Sequence, residues 1–179
     1  IGVGALFGLS DWRVEAMRLA AHLEHLYKHC WKAVFTVAFP RLRPAAGDFK
    51  PLTDFPDWAL VQTLCAFRIC FPEVGIVLST REPAPLRDAL APLGVTLMSA
   101  GSHTEPGGYT GAGGDDVHLT VRGRRVELED GKQECGKAEG QFGIADERSV
   151  EDFAAMLRGQ GLEPVWKDWD PSILHPEAA

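Results

Sequence analysis

A chain of 179 residues with 45% hydrophobic and 24% charged residues is long enough for one domain with its own core, and too apolar to be disordered throughout. Its formal net charge is −7, its Lys and Arg are scattered, and its longest basic cluster spans only residues 122–125, which argues against nucleic acid or an anionic membrane surface as partner. No apolar run approaches the roughly 20 residues of a membrane helix and no secretory signal opens the chain, so a soluble cytoplasmic protein is expected.

Residues 1–9 form an apolar, glycine-rich run that starts without a cap or turn, as expected of a polypeptide cut from something longer. Ser10 is placed to cap a helix, with Asp11 in its first turn. Trp12, Ala16, Leu19, Ala20, Leu23, Leu26, Tyr27 and Cys30 then draw one stripe down about five helical turns. Residues 33–39 read as a buried strand, halted by Pro40, Pro44 and Gly47. A second helix starts near Pro56, carries Leu60, Leu64, Phe67 and Phe71, and stops at Pro72. Residues 75–79 are a third strand. Pro83 and Pro85 open a helix that carries Leu86, Ala89, Leu90 and Leu93 and ends at Gly94, and residues 95–98 are a fourth strand.

Strand and helix alternate throughout this region, which demands parallel strands joined by right-handed crossovers. The fold class is therefore α/β, and the pattern fits either half of an eight-stranded (β/α)8 barrel or a small doubly wound sheet. Residues 101–114 read as a glycine-rich loop. Residues 117–121 and 124–128 read as a β-hairpin turning at Arg122-Gly123, and a last helix begins at Ser149 and buries Phe153, Met156 and Leu157. The organisation expected is a barrel portion over residues 1–109, a hairpin insertion over 110–140, and a helix and closing tail over 141–179. The four cysteines, Cys30, Cys65, Cys70 and Cys135, have neither disulfide-framework nor metal-site spacing, and are expected as reduced thiols, most of them in cores.

In parallel α/β folds ligands bind at the carboxyl ends of the strands. Here the first strand ends in Gly4-Ala5-Leu6-Phe7-Gly8, whose glycines admit a flat ligand to the backbone, or merely soften a core strand. The second ends in Phe39-Pro40-Arg41-Leu42-Arg43-Pro44, the third in Ser79-Thr80-Arg81-Glu82 and the fourth in Met98-Ser99-Ala100-Gly101-Ser102. A guanidinium at such a mouth suits a carboxylate, which it grips with two parallel hydrogen bonds; the plain alternative for Arg81 is an ion pair with Glu82 or a helix acid. Small hydroxyls at Ser99 and Ser102 either donate to an anion or turn the chain. His25 and His29 have the spacing of a metal pair, but with His22 they lie off the apolar stripe and read as a solvated face. No nucleophile with its base is visible, so no catalytic residue is assigned, and no metal ligands are assigned within this chain.

The same strand ends resemble those of the radical S-adenosylmethionine (SAM) aromatic amino acid lyase family. The Gly-x-Leu-x-Gly-x-x-Asp run from Gly4 to Asp11 resembles the fifth-strand motif of radical SAM barrels, and the next three strand ends, followed by Pro106-Gly107-Gly108-Tyr109, resemble the sixth to eighth. The ending Pro164-Val165-Trp166-Lys167-Asp168-Trp169-Asp170 is similar to that of the thiazole-pathway tyrosine lyases. The resemblance implies the C-terminal half of a radical SAM (β/α)8 barrel, including the region associated with biotin and thiamin synthesis. It implies SAM touching Gly4, Leu6 and Gly8, with Leu6 against adenine, and tyrosine held by Arg81, Ser99, Ser102 and Arg41. The implied reaction breaks the Cα–Cβ bond of tyrosine to give 2-iminoacetate (dehydroglycine) and p-cresol, the former feeding the thiazole of thiamine. Implied partners are a thiazole synthase and an electron donor such as flavodoxin. The family's [4Fe-4S] cluster motif, Cys-x3-Cys-x2-Cys, is absent, so its ligands are expected in a missing N-terminal half. Three rivals stand beside this reading: a related tyrosine lyase of hydrogenase maturation, whose extra C-terminal cysteines have no counterpart after Cys135; a non-catalytic remnant or assembly module; and, if the strand-end motifs are coincidental, an α/β binding protein of another ligand.

Overall fold

The computed structural model describes residues 1–42, 50–103, 119–122, 124–126 and 143–166. In chain order these form β1 (Gly2–Gly4), α1 (Trp12–His29), β2 (Thr36–Ala38), α2 (Asp57–Cys70), β3 (Gly75–Leu78), α3 (Ala84–Leu90) with a 3-10 turn (Ala91–Leu93), β4 (Leu97–Met98), β5 (Leu119–Val121), β6 (Arg124–Val126) and α4 (Val150–Gly159). β1 to β4 make one sheet in the order β1-β2-β3-β4, every pair parallel. That order decides between the two architectures. A doubly wound sheet reverses its strand order to place helices on both faces, whereas four strands added in sequence by right-handed crossovers place every helix on one face, as in a barrel wall.

The register explains which side chains meet the helices. Val3, Val37 and Ile76 are aligned across the first three strands, and Val37 and Ile76 are fully buried. They pack on a core supplied by Leu19 and Leu23 of α1 and by Ala59, Leu60, Leu64 and Phe67 of α2. Each large apolar side chain so buried contributes about 1.5–3 kcal/mol. The opposite face carries Gly4, Ala38, Val77 and Leu97 in one row. Gly4 is required there, because a Cβ at that position would stand 2.8 Å from the carbonyl oxygen of Ala38. Pairing between the first two strands resumes past Gly4: Phe7 N–H donates to Pro40 O (2.8 Å) and Leu42 N–H to Phe7 O (2.9 Å). Phe7 is fully buried, stacked on Phe55 with ring centroids 4.3 Å apart.

Local signals are mostly obeyed, with informative exceptions. The N-cap of α1 is Asp11 rather than Ser10: the Asp11 carboxylate accepts from the N–H groups of Arg13 (2.9 Å) and Val14 (3.3 Å), while the Ser10 hydroxyl turns to the Glu15 carboxylate. A carboxylate at the cap satisfies orphan donors and also faces the positive end of the helix. In α3 the buried face includes Arg87 and leaves Ala89 exposed. Gly94 terminates that region with φ +102. α4 starts as expected, with Ser149 Oγ accepting from Asp152 N–H (3.1 Å), and it buries Phe153 and Ala154 with Met156 and Leu157 half-buried. The described cysteines are free thiols, as expected, but are less buried than core thiols: Cys30 and Cys65 are half-buried, Cys30 packing against the core, and Cys70 is exposed. β5 and β6 form an antiparallel hairpin across a two-residue connection where Arg122 has φ +51. Cys135, most of the expected insertion and the tail beyond Trp166 lie outside the described residues.

The cap assignment has a direct test. Asp11→Ala should cost about 1 kcal/mol of stability in thermal or urea unfolding, while Asp11→Asn, which keeps an acceptor at the cap, should retain most of it. Equal losses for the two variants would contradict the cap.

Candidate substrate site

The carboxyl ends of β2, β3 and β4 surround a cavity of about 370 Å³. Its floor is apolar, from Phe39, Leu64, Val77 and Leu78, and its rim is polar, from Ser79, Arg81, Glu82, Ser99, Ser102 and His103 among others. An apolar pocket of this size with a few converging polar groups suits a small molecule carrying one apolar and one charged end. Three of the expected substrate residues, Arg81, Ser99 and Ser102, are therefore brought together from the ends of two different strands. Burial pulls the pKa of Arg81 below its ordinary value, against the attraction of neighbouring Glu82.

Arg41 is placed differently. It is buried, it does not line the cavity, and its guanidinium is spent on protein acceptors. Arg41 Nε donates to Glu82 Oε1 at 2.9 Å and Nη2 donates to Glu82 Oε2, a two-pronged pair. Nη1 donates to the carbonyl of Phe55 (3.2 Å) and to Asp57 Oδ1 (2.7 Å). Burial works against its charge, but the hydrogen bonds to Glu82 and Asp57 more than offset this and raise its pKa.

A second buried arginine holds the other side of the rim. Arg87 is almost fully buried; Nη1 donates to Asp146 Oδ2 and Nη2 to the carbonyl of Ser99, and its guanidinium lies 4.4 Å from the ring centroid of Phe153. Among the described residues its Nε has no hydrogen-bond partner. Asp146 is also held by Arg148, through Nε (2.8 Å) and Nη2 (2.7 Å), and Arg148 reaches on to Asp88 (2.8 Å). The N–H groups of Ala145 and Asp146 donate to the carbonyl of Thr80 at 2.9 and 3.1 Å. The segment before α4 is thereby stitched to the ends of both β3 and β4. Neither Arg87 nor Asp146 was singled out from the sequence, since nothing local distinguishes an arginine on a helix's buried face from one on its wet face. His103, too, was missed; it follows Ser102 by one position and no spacing marked it.

The first strand end lies apart from this cavity. Leu6 is 37% exposed and Gly4 is exposed on the helix-free face, so both are accessible to a ligand. Gly8 has φ +115, a Cβ there would meet Leu42 at 3.1 Å, and its carbonyl accepts from the N–H groups of Leu52 and Thr53, which accounts for the glycine by chain geometry. No set of three His, Cys, Asp or Glu side chains among the described residues is placed to hold a metal ion. His25 and His29 are exposed, with rings stacked 3.9 Å apart. No helix among the described residues is long and apolar enough to cross a membrane.

Residues 38–163 match the family described as the Biotin and Thiamin Synthesis associated domain. The chain is 45% identical over 171 residues to the 2-iminoacetate synthase of Escherichia coli (strain K12) and 44% identical to that of Salmonella typhimurium, covering 95% of this chain in both cases. It spans 39% of the length of each of these relatives. Among solved structures it resembles the FeFe-hydrogenase maturase HydG from Carboxydothermus hydrogenoformans (TM-score 0.68, 36% identity, 90% of this chain and 32% of that one). A second HydG structure, a maturase of the [FeFe]-hydrogenase, gives a TM-score of 0.71 at 28% identity, over 90% of this chain and 30% of that one. The four parallel strands are thus a portion of a radical SAM α/β barrel.

The Asp146 cluster predicts acid sensitivity. Hydrogen bonds from Arg148, then from Arg87, outweigh burial and hold the Asp146 carboxyl at about 2 rather than 3.8. A carboxyl depressed by folding stabilises the fold above its unfolded pKa and loses that stabilisation as pH falls through the folded one, so about 2 kcal/mol should disappear between roughly pH 4 and pH 2. In Asp146→Asn the acid limb of stability against pH should flatten, and an unchanged limb would contradict the cluster's role.

Proposed function

The chain belongs to the Biotin and Thiamin Synthesis associated domain family, and on that premise we propose that it is the substrate-binding wall of a radical SAM tyrosine lyase of the 2-iminoacetate synthase type. The reaction is cleavage of the Cα–Cβ bond of tyrosine to 2-iminoacetate and p-cresol, supplying the thiazole of thiamine. The observation that carries the reading is the cavity itself, whose apolar floor suits an aromatic ring and whose rim gathers Arg81, Ser99 and Ser102 where a carboxylate would lie. Arg81 grips that carboxylate, and the serine hydroxyls donate to it.

The radical would come from SAM cleaved at a [4Fe-4S] cluster whose ligands lie outside this chain. What these residues do is bind, orient and desolvate the substrate, the part of such chemistry that a protein supplies. Leu6 and Gly4, accessible at the first strand end, are the SAM-facing groups of this wall. Within this reading residues 1–109 are barrel, 110–140 an insertion and 141–179 a closing segment. A thiazole synthase and an electron donor such as flavodoxin are its partners. The higher identity to 2-iminoacetate synthases, 45% against 36% for HydG, favours thiazole supply over hydrogenase maturation.

The test is p-cresol formation from tyrosine by the native-length protein with its cluster and SAM; tyrosine binding without product would instead favour a non-catalytic module. In the same protein Arg81→Ala should weaken tyrosine binding about tenfold to a hundredfold while the unfolding transition stays put, from the loss of hydrogen bonds to a charged group worth about 1.5–3 kcal/mol. Unchanged affinity would remove Arg81 from the site.

A further inference from the structure

The rim of the cavity contains an unfavourable neighbour. Glu82 follows Arg81 directly, it lines the same cavity, it is 3% exposed, and its charge is felt by the Arg81 guanidinium. A bare carboxylate there would compete with a ligand carboxylate for Arg81 and would repel that ligand in a partly dry site. Arg41 answers this charge from behind: its two-pronged pair occupies both Glu82 oxygens, and Asp57 and the carbonyl of Phe55 hold its remaining side.

We propose that Arg41 is a positioning residue for carboxylate selectivity, which acts through Glu82 and never touches the substrate. It neutralises Glu82 and fixes its direction, so that Arg81 presents its charge to the carboxylate of an amino acid. The inference rests on the proposed tyrosine site and assigns Arg41 a role distinct from direct contact. A packing role alone would support any ligand of the cavity equally. A charge-screening role protects carboxylate-bearing ligands specifically.

Binding of L-tyrosine and of tyramine, which has the same ring and amine but no carboxylate, is measured by calorimetry on the native-length protein. Arg41→Met should raise the Kd for tyrosine at least about tenfold and leave that for tyramine within about threefold, a tenfold change being about 1.4 kcal/mol. Arg41→Met/Glu82→Met removes both charges at similar volume, so it should fold even if the single variant does not. Its tyrosine affinity should lie within about threefold of the unaltered protein. Equal weakening of both ligands in Arg41→Met, or a double variant that still binds tyrosine tenfold more weakly, would overturn the proposal. If the unaltered protein fails to bind tyrosine at all, it is the functional reading that falls, and this inference falls with it.

Discussion

Charge that is carried into the rim of the sheet has to be neutralised there, and two buried arginines show how the molecule meets that constraint. Arg41 holds Glu82 at the end of β3, and Arg87 holds Asp146 beside the ends of β3 and β4. A buried pair of this kind contributes little net stability compared with apolar groups of the same shape, but removing one partner strands the other and costs about 3–5 kcal/mol. Such pairs are therefore better read as devices that fix geometry. Here each fixes a strand end that carries a cavity residue.

Geometry at those strand ends follows from the sheet. Sequential parallel order sends every helix to one face and every carboxyl end to one rim, so residues distant in sequence, such as Phe39, Arg81 and Ser99, line one cavity. The helix-free face carries the small side chains of Gly4, Ala38 and Val77, suited to the interior of a barrel more than to an outer surface. The segment preceding α4 is tied to the rim by the N–H groups of Ala145 and Asp146 on the Thr80 carbonyl and by Asp146 on Arg87, and Phe153 of α4 lies against the Arg87 guanidinium.

Much of this was legible in local pattern because the signals were periodic or punctuated. The stripe of α1 was readable since Trp12, Leu19 and Leu23 recur at helical spacing and all three are buried. Pro56, Gly94, Ser149 and the Arg122-Gly123 turn act through their own backbone or side chain, so they bound their elements without reference to the rest of the fold. Arg81, Ser99 and Ser102 were readable as rim residues because parallel α/β architecture places strand ends at one side. The choice between Ser10 and Asp11 as cap was not, because either residue can accept from the helix; in the fold Asp11 accepts from Arg13 and Val14 while the Ser10 hydroxyl donates to Glu15.

The sequence by itself determined the order and type of the described elements and the parallel sense of the sheet, since each follows from hydrophobic period, turn chemistry and the handedness of crossovers. Only the tertiary structure decided that the sheet is singly wound, that Arg41 faces Glu82 instead of the cavity, and that Arg87 is buried on Asp146 while Ala89 faces water. The reason is common to all of these. A guanidinium's direction, like a strand's neighbour, is set by which opposite charge or open backbone edge lies within a few ångströms, and residues separated by 41 or 59 positions leave no record of that proximity in local pattern.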